Sequence, residues 1–250
     1  MEHCGKISIV GIGSGKIFEM TPKARALIES ADVIVGYKTY TELIGELLTD
    51  KKVLSSGMRQ EVQRAQLAID EAQKNLNVAV ISSGDAGIYG MAGLLLEMIL
   101  NLPEDHQPKF EIAAGVSSLN LAAAILGAPL MHDFAVISLS DWLTSWDVIK
   151  KRVALAAQGD FVIALFNPKS KSRVTNIEEV QKILLNFRAE NTPVGIVTNA
   201  GRLNEKKIIS TLANFTKEEI NMFTIVLIGN SNTFVKSNFM ITPRGYSLNR

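Results

Sequence analysis

Short β-branched runs recur along the chain, each closed by a polar or glycine-bearing loop and followed by a stretch of helical spacing. This alternation leaves few architectures open. Residues 6–10, 33–36, 52–54, 78–81 and 110–113 read as five strands with helices between them. Parallel neighbours need a crossover connection, so five such units predict a mostly parallel sheet with helices over its faces. The fourth run is followed by Ser82-Ser83-Gly84-Asp85-Ala86-Gly87-Ile88-Tyr89-Gly90. Gly84, Gly87 and Gly90 lack a Cβ, so the backbone there can come close to a ligand. Open α/β sheets bind ligands at the carboxyl ends of their strands, where this loop begins. Asp85 stands there either as a ligand-facing carboxylate or as a cap for the next helix.

Local signals place the helices between these runs. Thr21 and Pro22 mark a helix start, and Val62, Ala65, Ala68, Ile69 and Ala72 recur at intervals of three and four within residues 59–75. Gly127-Ala128-Pro129-Leu130 interrupts the alternation and is the expected boundary between an N-terminal α/β domain, 1–127, and a C-terminal α/β domain, 128–250. In the second half, strands are expected at 134–138, 161–166, 194–198, 207–211 and 224–228, with helices at 146–157 and 177–189. The turn-rich residues 201–205 imply an antiparallel pair, hence a mixed sheet.

Two familiar nucleotide motifs fail on inspection. Gly11-Ile12-Gly13-Ser14-Gly15-Lys16 has lysine where a dinucleotide fingerprint needs its third glycine. A phosphate-binding P-loop would need glycine at Val10 and a hydroxyl residue at Ile17. The net charge of +1 argues against nucleic-acid binding, although basic residues exceed acidic ones in the second half, a bias suited to an anionic ligand. No apolar run reaches the ~18 residues of a membrane span, and the first residues lack the pattern of a secretion signal, so a cytoplasmic protein is expected. A single cysteine and three histidines offer no metal-ligand spacing, and no protein-bound metal is expected.

Motifs along nearly the whole chain carry a family resemblance. They include Val10-Gly11-Ile12-Gly13, Val35-Gly36-Tyr37-Lys38-Thr39-Tyr40, Ser56-Gly57-Met58-Arg59-Gln60-Glu61 and Ser83-Gly84-Asp85-Ala86-Gly87-Ile88-Tyr89-Gly90-Met91. In the second half they include Gly127-Ala128-Pro129-Leu130-Met131-His132-Asp133-Phe134, Asn167-Pro168, Thr198-Asn199-Ala200-Gly201-Arg202 and Thr242-Pro243-Arg244-Gly245-Tyr246. With these motifs the chain resembles the tetrapyrrole (class III) methyltransferases that use S-adenosylmethionine. Within them it is most similar to the cobalamin-biosynthesis branch that methylates C-17 of precorrin-3B or its cobalt-containing counterpart with contraction of the ring. Another branch of the same fold, and a non-catalytic tetrapyrrole-binding protein, stay open at this level.

The resemblance implies the two-domain class III fold, a homodimer, and S-adenosylmethionine in the interdomain cleft. It implies cofactor contacts at Ser83, Gly84, Asp85, Ile88, Ser117, Ser118, Phe166 and Ala200. Gly13 and Ser14 would face the tetrapyrrole substrate. The basic residues Lys169, Lys171 and Arg173 would meet its carboxylates. Tyr37 stands where a related branch has a proton-accepting aspartate, and is a candidate for proton transfer or substrate positioning. The family usually has proline and an acidic residue where this chain has Ser14 and Lys16, which predicts a looser first turn.

Overall fold

A computed structural model describes residues 4–170 and 173–247 of the chain. The chain forms two compact units, Met1–Ser118 and Leu119–Arg250. Within the second unit, Leu119, Ala122 and Leu126 of the helix Ser118–Leu126 are buried with Ala164, Val197 and Leu227.

The first unit contains β1 (Lys6–Gly11), α1 (Pro22–Glu29), β2 (Val33–Tyr37), α2 (Lys38–Leu43), β3 (Lys52–Ser56), α3 (Glu61–Ala72), β4 (Val78–Ser82), α4 (Ala92–Leu100) and β5 (Lys109–Ala113). Its strands lie in the order β3-β2-β4-β1-β5, every pair parallel. All five residues of β4 are buried, as a strand covered on both faces requires. Side chains alternate across the sheet. Ile7, Ile9, Val33, Val35, Val78 and Val80 pack on α3 and α4, whereas Val10, Ile34, Ala79 and Ile81 pack on α1. Each of these buried Val and Ile side chains contributes about 1.5–3 kcal/mol.

This layering has a functional consequence. Adjacent strands β1 and β4 send their following helices to opposite faces, and the carboxyl ends of such a pair are the usual ligand position in open α/β sheets.

Local signals place the helices with one instructive exception. The Thr21 hydroxyl accepts a hydrogen bond from the Ala24 amide at 3.3 Å and Pro22 occupies the first turn of α1, as expected. In α3, Ala65, Ala68, Ile69 and Ala72 are buried, but Val62 is 62% exposed, and Arg64 and Glu71 are buried instead. Glu71 is tied to Lys52 at 2.8 Å and Lys74 at 2.9 Å, and these hydrogen bonds hold its carboxyl below the usual range.

The second unit holds all but the first residue of α5 (Ser118–Leu126), then β6 (Gly127–Ala128), β7 (Phe134–Ser138), α6 (Trp146–Gln158), β8 (Val162–Phe166), α7 (Asn176–Leu185), β9 (Pro193–Thr198), β10 (Lys206–Thr211), β11 (Thr224–Ile228), β12 (Phe234–Lys236) and β13 (Phe239–Ile241). Its main sheet has the order β10-β9-β11-β8-β7. Only β7 and β8 pair in parallel, so the sheet is mixed, and β9 and β10 form the expected antiparallel pair. Helices α6 and α7 cover one face with Ile149, Val153, Val180 and Leu184, and α5 lies on the other. Gly195 in β9 admits the Leu126 side chain, with which a Cβ would collide. Gly127-Ala128, read from sequence as an interruption, is a short strand paired in parallel with β13.

Candidate functional site

Past the carboxyl ends of β1 and β4 the chain extends its hydrogen-bonded ladder beyond the strands. The Ile12 amide donates to the Ser82 carbonyl at 2.9 Å. Gly13 and Gly84 then exchange two backbone hydrogen bonds, at 3.0 and 2.8 Å, as an isolated antiparallel bridge. Both glycines have left-handed backbones, with φ of 61° and 66°. The loop after β5 closes onto them. A Cβ on Gly11 would lie 2.6 Å from the Gly115 amide nitrogen and 2.7 Å from the Gly84 carbonyl oxygen, so three loops meet at a spacing that only glycine permits.

Asp85 locks this junction. Its Oδ1 accepts the Gly87 amide at 2.8 Å and its Oδ2 accepts the Gly115 amide at 3.0 Å. It does not cap α4, whose cap position is Met91; the Met91 amide instead donates to the Ser82 hydroxyl at 3.2 Å. Residues 87–90 are exposed, with Ile88 40% accessible at the loop tip and Tyr89 held at a left-handed φ of 53° that L side chains rarely adopt. Ser117 is buried and Ser118 half-buried beside Gly84, where a Cβ would lie 3.6 Å from the Ser117 Cα. Of the expected cofactor residues, Ser83, Gly84, Asp85 and Ile88 lie on the loop after β4, and Ser117 and Ser118 lie between β5 and the start of α5, where Gly84 meets them. Small hydroxyls, close backbone and an exposed isoleucine suit a ligand with an amino-acid head and a nucleoside.

The first loop is tied rather than loose. The buried Ser14 hydroxyl donates to Glu19 Oε2 at 2.6 Å, the Lys16 amide donates to Ser14 Oγ at 3.2 Å, and Lys16 Nζ lies 3.6 Å from Glu19. Glu19 thereby supplies the acidic anchor whose absence at Lys16 predicted a looser turn.

In the second unit, Phe166 ends β8 and Ala200 follows β9; both belong to one apolar cluster with Val197 and Ile225. The loops after β7 and β8 are laced together. Arg173 donates to the Asn167 carbonyl at 2.9 Å and pairs with Asp141 at 3.4 Å, and Asn167 Nδ2 donates to Ser138 Oγ at 3.0 Å. The Arg173 side chain is 11% exposed, so its charge is largely committed to these loops. Lys169 lies half-buried in the same loop, and Lys171 falls outside the described residues. Among the described residues, no group of three or more His, Cys, Asp or Glu could hold a metal ion, and no helix is long and apolar enough to cross a membrane.

The family model of the tetrapyrrole (corrin/porphyrin) methylases matches residues 6–216. The chain belongs to this family. It is 48% identical to a Priestia megaterium protein named cobalt-factor III methyltransferase, over 97% of this chain and 45% of that protein. It is 46% identical to a Salmonella typhimurium protein named probable cobalt-factor III C(17)-methyltransferase, over 97% of this chain and all of that protein. The chain therefore spans less than half of the first relative and the whole length of the second. Among solved structures it is similar to the methyltransferase CobJ, with a TM-score of 0.90 and 33% identity over 96% of this chain and 100% of that one.

Sequence reasoning missed one buried residue of this methylase, which lies beside Tyr37. Tyr37, at the end of β2, meets Tyr40 edge to face with ring centroids 5.1 Å apart. The guanidinium of Arg64 lies 6.0 Å from the Tyr37 ring centroid, within cation–π range. Burial, the largest influence, pushes the Arg64 guanidinium below its ordinary pKa, against the opposing attraction of Glu61, Tyr40 and Tyr37. A signal was present: Arg64 precedes Ala68 by four residues and so falls on the apolar stripe of α3.

Proposed function

We propose that this methylase transfers a methyl group from S-adenosylmethionine to C-17 of cobalt-factor III with contraction of the macrocycle, as a step of cobalamin biosynthesis. One coincidence carries this conclusion: a chain of the methylase family, similar over nearly its whole length to proteins named for that substrate, has a glycine junction at the switch point between β1 and β4. The bound cofactor supplies a methyl group on a sulfonium whose positive charge disappears as the new bond forms.

The chain's own contribution is alignment and exclusion of water. Ser83, Gly84, Ser117 and Ser118 would hold polar groups of the cofactor through hydroxyls and close backbone. Asp85 acts through loop shape, since both its oxygens accept backbone amides. Ile88, Phe166 and Ala200 would pack the adenine and ribose. Lys169 would face the tetrapyrrole, Gly13, Ser14 and Arg173 would shape the loops that border it, and Tyr37 would position it or accept a proton. We also infer a homodimer working in the cytoplasm; light scattering should give a mass near twice 27.3 kDa.

The test is incubation with methyl-labelled S-adenosylmethionine and either cobalt-factor III or precorrin-3B, read by mass spectrometry and carbon NMR. Label at C-17 of cobalt-factor III is expected. Label on precorrin-3B alone would reassign the substrate, and label at another ring carbon would reassign the branch. No transfer to either, with the cofactor bound, would overturn the function.

A further inference from the structure

Arg64 is the strongest feature that the proposed reaction leaves unexplained. It stands in the first turn of α3 with 4% of its surface exposed. Its hydrogen-bond partners are neutral: Nε donates to Ser56 Oγ at 2.9 Å, Nη2 donates to the Gly57 carbonyl at 2.8 Å, and Nη1 approaches Met91 Sδ at 3.7 Å. The Tyr37 ring lies against its remaining face.

Burying a cation whose hydrogen-bond partners are all neutral is expensive even with the Glu61 carboxylate near enough to attract it, and an apolar side chain would continue the Ala65–Ala68–Ala72 stripe at lower cost. An aliphatic replacement could fill the volume, but it could not bridge the four groups. Those groups come from three places in the sequence: Tyr37 from the end of β2, Ser56 and Gly57 from the end of β3, and Met91 from the end of the loop after β4. One planar guanidinium thus joins three neighbouring carboxyl-end segments of the sheet order β3-β2-β4. Met91 closes the loop that carries Ser83 to Ile88, and its amide is held by Ser82. Arg64 thus reaches the last residue of that loop only through the Met91 thioether, whereas it lies directly against the Tyr37 ring.

We propose that Arg64 is a positioning residue for methyl transfer, holding the Tyr37 ring in the pose that meets the tetrapyrrole. The proposal rests on the function proposed above and deepens it. Arg64 touches neither substrate nor cofactor; it acts through Tyr37, and the loop after β4 keeps its cofactor contacts when Arg64 is replaced because Asp85 and the Gly13–Gly84 bridge hold that loop independently.

The test is a double-mutant cycle with Arg64→Met, Tyr37→Leu and the double variant, with Arg64→Lys as a control that keeps a cation beneath the ring but cannot bridge Ser56, Gly57 and Met91. Thermal unfolding establishes that each variant folds, calorimetry gives its affinity for S-adenosylhomocysteine, and steady-state kinetics with cobalt-factor III and precorrin-3B give kcat and KM. Arg64→Met should lower kcat about tenfold or more while S-adenosylhomocysteine affinity stays within about threefold of the parent. Arg64→Lys should recover part of that loss. In the Tyr37→Leu background, Arg64→Met should cost less than about twofold, because the group it positions is gone. Equal losses in both backgrounds, an unchanged kcat in Arg64→Met, or a loss of turnover matched by loss of cofactor affinity would each overturn the positioning role while leaving the parent's activity intact. A parent protein that binds S-adenosylhomocysteine yet methylates neither tetrapyrrole would instead overturn the functional reading, and this proposal with it.

Discussion

Asp85 Oδ2 accepts a hydrogen bond from the Gly115 amide at 3.0 Å, joining the loop after β4 to the loop after β5 across the end of β1. A carboxylate accepting two backbone amides is a strong local brace, because charge-assisted hydrogen bonds are worth about 1.5–3 kcal/mol each. Asp85→Ala should therefore weaken S-adenosylhomocysteine binding about tenfold or more by loosening the cradle. Calorimetry on the folded variant checks this, and an unchanged affinity would detach Asp85 from the cofactor site.

Two glycines at the same junction should behave differently. A Cβ on Gly11 runs into backbone at 2.6 and 2.7 Å, whereas one on Gly84 meets nothing closer than 3.6 Å and faces only the cost of φ at 66°. Gly84→Ala should destabilise the protein by about 1–2 kcal/mol and Gly11→Ala by more, since rigid backbone must move. Denaturant unfolding of both variants gives the order; Gly84→Ala being the more damaging would contradict the tight meeting of the loops.

The Glu71 brace makes a pH prediction. Its carboxyl is held low by hydrogen bonds from Lys52 and then Lys74, so the stability it supplies is present in full above the ordinary carboxylate range and is lost as pH falls through the lowered folded-state value. Both lysines are largely exposed, which limits the effect to about 1 kcal/mol or less. Glu71→Gln should unfold at a lower temperature than the parent at neutral pH, and the gap should close on acidification. A gap that widens toward low pH would reverse the sign of the coupling.

The basic loop after β8 divides by geometry into two kinds of residue. Arg173 is committed to Asn167 and Asp141, so Arg173→Gln should lower the melting temperature as well as perturb catalysis. Lys169→Gln should leave melting unchanged, raise KM for the tetrapyrrole severalfold, and flatten the dependence of KM on salt, because charges in reach of solvent are screened over about 8–10 Å. Identical kinetics in parent and Lys169→Gln at low salt would remove that lysine from substrate binding.

Much of the fold was legible locally. The β-branched runs at 6–10, 33–36 and 78–81, Thr21-Pro22, and the glycines of 84–90 each follow from rules that act within a few residues: the two-residue period of strands, the capping of helix ends and the freedom of glycine. The antiparallel turn at 201–205 was legible for the same reason, and its strands pair as its residues imply. Val62 misled because helical spacing identifies a stripe but not its edges; packing on β2 and β4 selected Arg64 for burial and left Val62 in solvent.

The pairings between distant segments lie beyond any local rule. Residue order along the chain was enough to imply parallel βα units with a glycine-bearing loop at a strand end, since backbone sterics and hydrophobic periodicity act between near neighbours. Tertiary assembly alone set β1 between β4 and β5, brought Gly13 to exchange hydrogen bonds with Gly84, carried Asp85 to Gly115, and, in a separate sheet, made Gly127-Ala128 a strand beside Phe239–Ile241. Each of these joins residues far apart in the chain. Their free energy depends on the simultaneous burial of both partners and on the closure of the intervening loops, quantities that exist only once the whole sheet has formed.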